Sequence, residues 1–349
     1  MKEPLRISYL LEAAPLFGGV KVVLRQANLL VRLGHRVTVV CPGEPPDWFP
    51  LEAELLRTPG LDPHDLPPSD VLIATYWTTI HRALEGVAAG RSREVAHYCQ
   101  GYEGSYTHNL EQHREIEQAY TRPTPALAVS AHLARLVRDR FGRPARVVPQ
   151  PLEPAFQPTW RWRPRRVPRI LVMSPFEIDW KGVSTALRAV VELRRRGFAC
   201  ELVRLSQWPL SDAERDLLEP DAFHEHLAPS EVPDLVRSCD LLLAPSWEQE
   251  GFGLPVLEAM ASGVPVVASD IAAFRDFAVD AARLVPFDQP DAFADAAQEI
   301  LDRPRAWRRA RRAGIRVAES FREERAAQEA AAAVRWVASG AWREELGQR

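Results

Sequence analysis

The segment 246–269, SWEQEGFGLPVLEAMASGVPVVAS, concentrates residues that could bind a phosphate group or a polarised sugar oxygen. Gly251 and Gly253 allow the backbone to approach a ligand closely. Pro255 suits the first turn of a helix, where its missing N–H costs nothing. A helix beginning at about Leu254 would point its first N–H groups at this loop, where they attract a phosphate or a polarised sugar oxygen. The segment therefore predicts an anion-binding helix start.

Two carboxylates flank that helix start. Glu250 lies just ahead of it, and Glu258 is expected in its first turn. Carboxylates on both sides of a bound diphosphate could hold hydroxyl groups, which is the geometry that a nucleotide sugar requires. The plainer interpretation is a βαβ unit whose glycines only form a tight turn, and a lone GxG would favour it. The coincidence of the glutamates and glycines with the proline and the following SGVPVV favours a ligand site.

The same residues carry a resemblance to a known family. The stretches 250–255 (EGFGLP), 257–261 (LEAMA) and 265–267 (PVV), with Gly263 between them, resemble the EGFGLPxLEAMAxGxPVV motif of the retaining family 4 glycosyltransferases. That motif is long and specific, and the resemblance extends over nearly the whole chain. It implies the GT-B fold and transfer of a sugar from a nucleoside diphosphate.

The resemblance also implies roles for single residues. Glu250 would lie near the donor sugar, and Glu258 would hold the ribose. The backbone amides of Phe252, Gly253 and Leu254 would contact the sugar and the distal phosphate. Glu250 and Lys181 are the residues expected to act in catalysis.

Lys181, in the segment DWKGVSTALRA, opens the first helix of the second half of the chain. It is interpreted as a cation on the donor diphosphate, which the KG motif of the family supports. The alternative is a solvated lysine at a helix start. Only three of the 44 basic residues are lysines, so arginine would be expected wherever any cation sufficed. A compact ammonium on a phosphate is a reason to keep lysine.

The chain departs from the family just before Lys181. A phosphate-binding arginine usually follows the preceding strand there, but this chain has 173–176, MSPF. Lys21, Arg25 and Arg204 are the candidates for a replacement cation, and the sequence does not decide between them.

The first half offers weaker candidates. Gly18 and Gly19 resemble the glycine loop of the family that faces the diphosphate, although an ordinary strand–helix turn explains two glycines equally well. Gln100 and Glu103 follow a predicted strand and are candidates for contacting the acceptor. His97, within that strand, is expected to be a hydrogen-bonded core histidine.

Strands and helices alternate along the chain twice, and the pattern restarts after the proline-rich stretch 151–168. This indicates two α/β domains of Rossmann-like, doubly wound parallel sheet. The expected domains are 1–155 for the acceptor and 156–320 for the donor, followed by a helical tail, 321–349, that packs back on the first domain. Neither half carries GxGxxG, which argues against a dinucleotide oxidoreductase. Ligands of such sheets bind beyond the carboxyl ends of the strands, so a cleft between the two domains is expected to hold the donor.

Composition and net charge limit the kinds of partner that the chain is expected to bind. With a net charge of −3, the chain has no overall field that would hold nucleic acid, and none is expected as a partner. Basic stretches at 134–146, 160–166 and 303–316 leave a weak peripheral membrane contact open, although surface charge balanced by acidic neighbours explains each of them alone. No apolar run approaches the ~18 residues that span a bilayer. The four cysteines are far apart in buried-looking strands, which indicates reduced thiols and a cytoplasmic protein.

The sequence therefore predicts a retaining glycosyltransferase that takes a nucleotide sugar as donor and a glycan, a lipid-linked saccharide or a small molecule as acceptor. No cofactor or metal is expected, because no DxD motif is present to hold a divalent ion. Two alternatives stay open: a sugar-nucleotide 2-epimerase of the same fold, and a non-catalytic module that binds sugar nucleotides.

Overall fold

The structure, a computed structural model, describes residues 3–346. The chain forms two compact units, one of Met1–Pro151 together with Glu323–Arg349 and one of Leu152–Arg322. The domain ends expected at residues 155 and 320 lie close to these bounds. The terminal residues 1, 2 and 347–349 of the expected domains lie outside the described part of the chain.

The first unit is built on a parallel sheet with helices between its strands. Its strands are β1 (Arg6–Leu10), β2 (Arg36–Cys41), β3 (Glu54–Arg57), β4 (Ser69–Ala74), β5 (Ser92–Cys99), β6 (Ala126–Ala128) and β7 (Ala145–Val147). Its helices before the second unit are α1 (Gly18–Arg32), α2 (Trp77–Ala88), α3 (His113–Tyr120) and α4 (Ala131–Phe141). The seven strands follow the order β3-β2-β1-β4-β5-β6-β7, and all neighbours are parallel.

The central strands of this sheet are apolar on both faces. In β4 the residues 71–74, VLIA, have no exposed surface, and Tyr9 and Leu10 in β1 are equally buried. A sheet covered by helices on both sides requires such continuous apolar runs rather than alternation. This is the reason that these strands could be recognised in the sequence.

The second unit repeats the architecture with six strands. They are β8 (Arg169–Met173), β9 (Glu201–Ser206), β10 (Ala222–Glu225), β11 (Leu241–Ala244), β12 (Val266–Ser269) and β13 (Arg283–Val285). The helices are α5 (Val183–Arg195), α6 (Asp212–Leu217), α7 (Val232–Arg237), α8 (Leu254–Ala261), α9 (Ala272–Arg275), α10 (Pro290–Asp302) and α11 (Pro304–Ala318). The strand order is β10-β9-β8-β11-β12-β13, again entirely parallel. Its core places α5 and α10 against the sheet, with Trp307 of α11 fully buried beside them.

The proline-rich stretch expected to link the domains is held on the second unit. Arg161 and Arg165 both form ion pairs with Asp240, whose side chain is fully buried ahead of β11. The backbone N–H groups of Arg165 and Arg169 also donate to this carboxylate, at 3.1 and 2.9 Å. Arginine pairing with a buried aspartate, rather than proline composition, determines the path of this segment.

The last helix, α12 (Glu323–Ala338), belongs to the first unit. Glu323 at its start forms an ion pair with Arg25 of α1 at 2.8 Å. Beyond its end, Trp342 and Arg343 both donate to Glu94 of β5, at 3.1 and 2.6 Å. The predicted packing of the C-terminal helix on the first domain is confirmed. Among the described residues, no helix has the length and apolar character needed to cross a membrane.

Candidate functional site

The order of the second sheet reverses between β8 and β11, which lie side by side. In doubly wound sheets, ligands bind beyond the carboxyl ends of the strands at such a point. Ser174 follows β8 there, Ser246 follows β11, and the start of α8 completes a recess in the second unit. Lys181, Glu250 and Gly253, all predicted from the sequence, line this recess.

Lys181 and Glu250 meet in the recess as an ion pair. The Lys181 ammonium lies 2.7 Å from Oε2 of Glu250, to which the Ser246 hydroxyl also donates at 3.0 Å. Lys181 ends a short 3₁₀ turn, Asp179–Lys181, so it lies two residues ahead of α5 rather than within it. Its ammonium also lies 4.3 Å from the centre of the Trp180 ring, a cation–π distance that helps to fix its direction.

The charge state of Glu250 follows from these contacts. Glu250 is 8% exposed, and burial alone would raise the pKa of its carboxyl. The nearby Lys181 charge, together with hydrogen bonds from Lys181, Ser246 and the backbone of Phe252, outweighs burial and lowers the pKa below its usual value of 4.5. The site therefore holds a carboxylate and an ammonium in contact.

The helix start lies where the sequence predicted it. Helix α8 begins at Leu254, and Gly253 caps it with a φ of 91°, in the left-handed region that favours glycine. A Cβ added at Gly253 would lie 2.3 Å from Cε1 of Phe274, so this position also requires the absence of a side chain. The side chain of Phe252 stacks on Phe277, with ring centres 4.6 Å apart. The preceding loop is thereby fixed. Pro255 has no N–H and the Val256 N–H donates to the Gly253 carbonyl at 3.0 Å, so Leu254 supplies the N–H at the very start of α8.

Glu258 lies one turn later than expected. It is the fifth residue of α8, so it belongs to the second turn, and the first turn contains no acidic residue. The expectation of a first-turn position was wrong because Gly253 is the cap and Pro255 already occupies the second helical position. Glu258 is mostly buried, and its ribose-binding role stays a prediction.

The place of the missing arginine is occupied by a strained turn. Ser174 has a φ of 109°, which only glycine adopts without strain. Arg204, fully buried in β9, donates 2.8 Å hydrogen bonds to the carbonyl oxygens of Val172 and Ser174. The same guanidinium forms an ion pair with buried Glu214 at 2.5 Å. Arg204 thus holds the turn through two backbone carbonyl groups.

Arg204 is therefore excluded as a replacement phosphate cation, because its charge is paired with Glu214 and its side chain is fully buried. Arg25, the second candidate, forms an ion pair with Glu323 within the first unit. Lys21, the third, lies in the first turn of α1. The geometry of the second unit supplies Lys181 as the ammonium that lines the recess.

The first unit brings three of its predicted residues together. Gly18 and Gly19 form the beginning of α1, behind the cap residue Phe17. A Cβ added at Gly19 would lie 3.4 Å from Oε1 of Gln100, which follows β5. The glycines after β1 and the amide after β5 are therefore neighbours, as two segments at the carboxyl edge of one sheet should be.

Glu103 is placed differently from expectation. It is 3% exposed and accepts a short hydrogen bond from the Tyr120 hydroxyl. Burial raises the pKa of its carboxyl to about 7, against smaller opposing effects of the Tyr120 hydroxyl and the Arg143 charge. Its side chain is thus part of a buried polar cluster, and its role towards an acceptor stays a prediction.

His97 is buried, as expected, but it is not hydrogen-bonded. Neither ring nitrogen has a partner among the described residues, and the ring packs edge-on against Tyr120 at 5.1 Å. Burial and the nearby Arg143 charge hold the pKa of His97 well below its usual range, so the ring is neutral.

Sequence reasoning missed Ser246, and it named Arg204 only as a candidate phosphate cation rather than as a support of the site. Ser246 directly supports Glu250, and Arg204 supports the turn at Ser174. Their positions at the end of β11 and within β9 gave some signal, since side chains at strand ends of parallel sheets border ligands. In the part of the chain that the structure describes, no three His, Cys, Asp or Glu side chains form a group able to hold a metal ion.

The chain is similar to known glycosyltransferases in sequence and in fold. Residues 167–303 match the family model described as glycosyl transferases group 1. The phosphatidyl-myo-inositol mannosyltransferase of Mycolicibacterium smegmatis is 27% identical over 323 residues, which cover 82% of this chain and 81% of that protein.

Solved structures share the fold over almost the full length. Anabaena HepE, solved in complex with UDP-glucose, superimposes with a TM-score of 0.77 at 15% identity, covering 95% of this chain and 99% of that one. Sucrose-phosphate synthase from Thermosynechococcus elongatus gives a TM-score of 0.76 at 16% identity, covering 96% and 99%. At such identities the likeness concerns the fold alone.

Proposed function

We propose that the chain, which has the GT-B fold and whose second unit matches the model of group 1 glycosyl transferases, is a glycosyltransferase. It would transfer a sugar from a nucleoside diphosphate to an acceptor hydroxyl with retention at the anomeric carbon. The observation that carries the proposal is the Lys181–Glu250 pair beside the start of α8. The mannosyltransferase named above and the UDP-glucose complex of HepE support a sugar nucleotide as donor.

In this reaction the bond from the anomeric carbon to the diphosphate oxygen breaks, and its electron pair leaves with the phosphate. The acceptor oxygen forms the new bond to the same carbon, and its proton passes to the departing phosphate. Negative charge grows on the leaving group, so groups that stabilise that charge lower the barrier most. The Lys181 ammonium and the positive end of α8 at Leu254 are placed on neighbouring elements for this task.

The proposed roles follow from position. Lys181 exchanges part of its interaction with Glu250 for the diphosphate, while Glu250 holds a donor-sugar hydroxyl and keeps Lys181 directed into the recess. Glu258 holds the ribose, and the amides of Phe252, Gly253 and Leu254 bind the sugar and the distal phosphate. In the first unit, Gly18 and Gly19 offer backbone to the diphosphate. Gln100 and Glu103 are proposed on the acceptor side.

Further parts of the proposal concern conditions and partners. We propose that the reaction needs no metal or other cofactor, because Lys181 and the helix start supply positive charge. The acceptor is a glycan, a lipid-linked saccharide or a small molecule, in keeping with the lipid acceptor named for the mycolicibacterial relative. The four cysteines are buried thiols without disulfides, which supports a reducing, cytoplasmic location, with peripheral contact to a membrane.

Binding and turnover test the proposal separately. GDP, UDP and dTDP are each added to the whole chain, and the shift in unfolding temperature is measured, since a ligand that binds the folded state raises it. One nucleotide should stabilise the wild type and lose most of its effect in Lys181→Ala. If no nucleotide shifts the transition, or if the variant responds like the wild type, the site is misassigned.

Turnover is then followed with the matching sugar nucleotides in the presence of EDTA. Release of the nucleoside diphosphate that depends on an added acceptor supports transfer without a metal. A new sugar nucleotide formed from the donor alone would indicate the epimerase instead. Tight binding without turnover on any acceptor would indicate a non-catalytic module.

A further inference from the structure

In the segment 159–162 of the second unit, two tryptophan side chains face the solvent, and the arginine side chain between them faces the protein. Trp160 is 90% exposed and Trp162 is 67% exposed, with their ring centres 6.2 Å apart. Between them Arg161 faces inward, where it pairs with buried Asp240 and donates to the Cys239 carbonyl at 2.9 Å. Folding alone favours the opposite arrangement, since indole rings are stabilised by leaving water and guanidinium groups by staying in it.

The backbone of this segment is held in place. Arg311 of α11 donates to the Thr159 carbonyl, and Arg308 donates to the Trp162 carbonyl at 3.2 Å. Beside the two rings lies a cavity of about 400 Å³, bordered on its other side by Arg312 and Ile315 of α11. The tryptophans are therefore presented outward from an anchored backbone.

The surroundings of these rings are strongly basic. Neither the stretch 158–170 nor α11 contains an acidic residue. On α11, exposed arginines recur at a spacing of four, three and four residues, which places them on one helical face: Arg305, Arg309, Arg312 and Arg316. Within residues 3–346, none of these four forms an ion pair. Like charges at this spacing repel one another and destabilise a helix. The row of arginines, like the exposed tryptophan rings, therefore lowers the stability of the isolated chain.

We propose that this tryptophan–arginine surface, formed by Trp160, Trp162 and the four exposed arginines of α11, docks the enzyme on an anionic lipid bilayer. Such a bilayer offers both complements at once: negative phosphates for the arginines, and an interfacial layer in which tryptophan rings are favoured. With a net charge of −3 for the chain, this attraction is local and orients the molecule.

The exposure of Trp160 favours a bilayer over a stacked ligand. A ring that serves as a platform for a base or a sugar usually lies flat on the protein with one face open. Trp160 stands clear over nine-tenths of its surface, as insertion into a soft interface requires. This surface gives a location to the peripheral membrane contact that is part of the proposed function. Vesicle binding needs no nucleotide, so it is measured independently of sugar transfer.

The test uses the whole chain and two kinds of vesicle, phosphatidylcholine alone and phosphatidylcholine with phosphatidylglycerol, in a flotation assay with tryptophan emission as a second readout. Wild type should bind the anionic vesicles and shift its emission to shorter wavelength. Trp160→Ser with Trp162→Ser should lower binding by at least about tenfold and abolish the shift. Arg305→Gln, Arg309→Gln and Arg312→Gln together should lower it by roughly 100-fold.

A matched control removes the same charge elsewhere in the second unit, at the exposed Arg188, Arg215 and Arg283. Because it leaves the surface intact, it should reduce binding far less than the α11 variant. Unfolding temperatures, with and without the nucleotide that binds, show that each variant is folded and has an intact donor site. If a folded variant no longer binds vesicles but still binds the nucleotide, the docking surface has been tested independently of the proposed function.

Several results would overturn the docking surface. The proposal is contradicted if wild type binds neutral vesicles as well as anionic ones, if it binds neither kind, or if the α11 and tryptophan variants bind like the control. A dimer that dissociates in the tryptophan variant would make the surface an interface between copies. Tighter binding of single-stranded RNA than of anionic vesicles, lost in the same variants, would assign it to nucleic acid.

Discussion

The Lys181 ammonium lies 2.7 Å from Oε2 of Glu250, although 69 residues separate the two positions in the chain. Lys181 follows a strained turn after β8, and Glu250 follows β11. Because these two strands are neighbours in the sheet, the two side chains meet. The ammonium helps to lower the pKa of the Glu250 carboxyl, and the carboxylate directs the ammonium into the recess.

Lys181→Ala and Glu250→Ala should each lower kcat by roughly 10²–10³. The first removes the cation that stabilises the leaving diphosphate, and the second removes both a sugar contact and the group that orients that cation. Release of nucleoside diphosphate under saturating donor measures the effect, with Arg188→Ala on the exposed face of α5 as the control. Near-normal turnover of either purified variant would remove that residue from the mechanism.

Lys181→Ala should also destabilise the fold, by about 2 kcal/mol, because it leaves a buried carboxylate without its cation. The paired Glu250 has a lowered pKa, so the pair contributes stability above the usual value of 4.5, and this is lost as the pH falls through the lowered pKa. Urea unfolding should therefore show the difference at neutral pH and a smaller one in acid.

The double variant Lys181→Ala with Glu250→Gln provides the control for this stability effect. It removes the stranded charge as well as the cation, so it should recover much of the loss. If the double variant is as unstable as the sum of both single changes, the two residues do not stabilise each other.

Gly253→Ala should destabilise the protein by about 2–4 kcal/mol and weaken nucleotide binding. The new Cβ meets the Phe274 ring, and alanine is strained at a φ of 91°. Gly197→Ala is the matched control, since Gly197 also has a positive φ of 80° but nothing within 4 Å of the added Cβ. It should cost only about 1 kcal/mol. Equal effects in calorimetry would mean that the space beside Phe274 is not required.

The sequence predicted the central strands of both sheets because their apolar runs are continuous. The strands β3, β7, β10 and β13 are three or four residues long, carry no such run, and are the edge strands of their sheets. In β3 no residue is buried, so its pairing with β2 left no hydrophobic pattern to read. Edge strands of this kind are fixed by the neighbouring strand rather than by their own residues.

The residues of the site likewise divide into those that the local sequence predicts and those that it does not. The glycines, Glu250 and the start of α8 could be predicted, because close backbone approach and helix capping need particular residue types in local order. Arg204 and the strain at Ser174 could not, because the arginine reaches the turn only through the pairing of β8 with β9. Equally, nothing local distinguishes Glu103, which the fold buries, from a glutamate exposed in a loop.

Ser174→Gly should stabilise the protein by about 1 kcal/mol. Ser174 adopts a φ of 109°, and glycine relieves the strain of that conformation while the hydrogen bond from Arg204 to its carbonyl is kept. The control is Ser262→Gly, at a φ of −71° where glycine gains nothing, and whose hydroxyl makes no hydrogen bond. It should lower stability in denaturant by about 0.5–1 kcal/mol. A loss of stability in Ser174→Gly would show that the turn is not strained.

Glu103 should make the protein less stable as the pH rises. Its pKa is about 7 in the folded chain, against a usual 4.5. Between these values the folded state keeps a proton that the unfolded state releases, so the free energy of unfolding falls with rising pH. Glu103→Gln cannot ionise and should escape this fall, gaining on the order of 2 kcal/mol over wild type between pH 5 and pH 8.

Tyr120→Phe tests the same buried cluster by removing the hydroxyl group that donates to Glu103. The Tyr120 hydroxyl donates to the Glu103 carboxylate and opposes the rise of the Glu103 pKa, so its loss should raise that pKa further. The fall in stability of Tyr120→Phe should then continue to higher pH than in wild type, as measured by urea unfolding at half-unit pH steps. Adding Glu103→Gln to Tyr120→Phe should remove the extra slope, because no carboxyl remains to titrate. If wild type, Glu103→Gln and Tyr120→Phe show parallel pH profiles, the carboxyl of Glu103 is ionised throughout, and its burial does not control its charge.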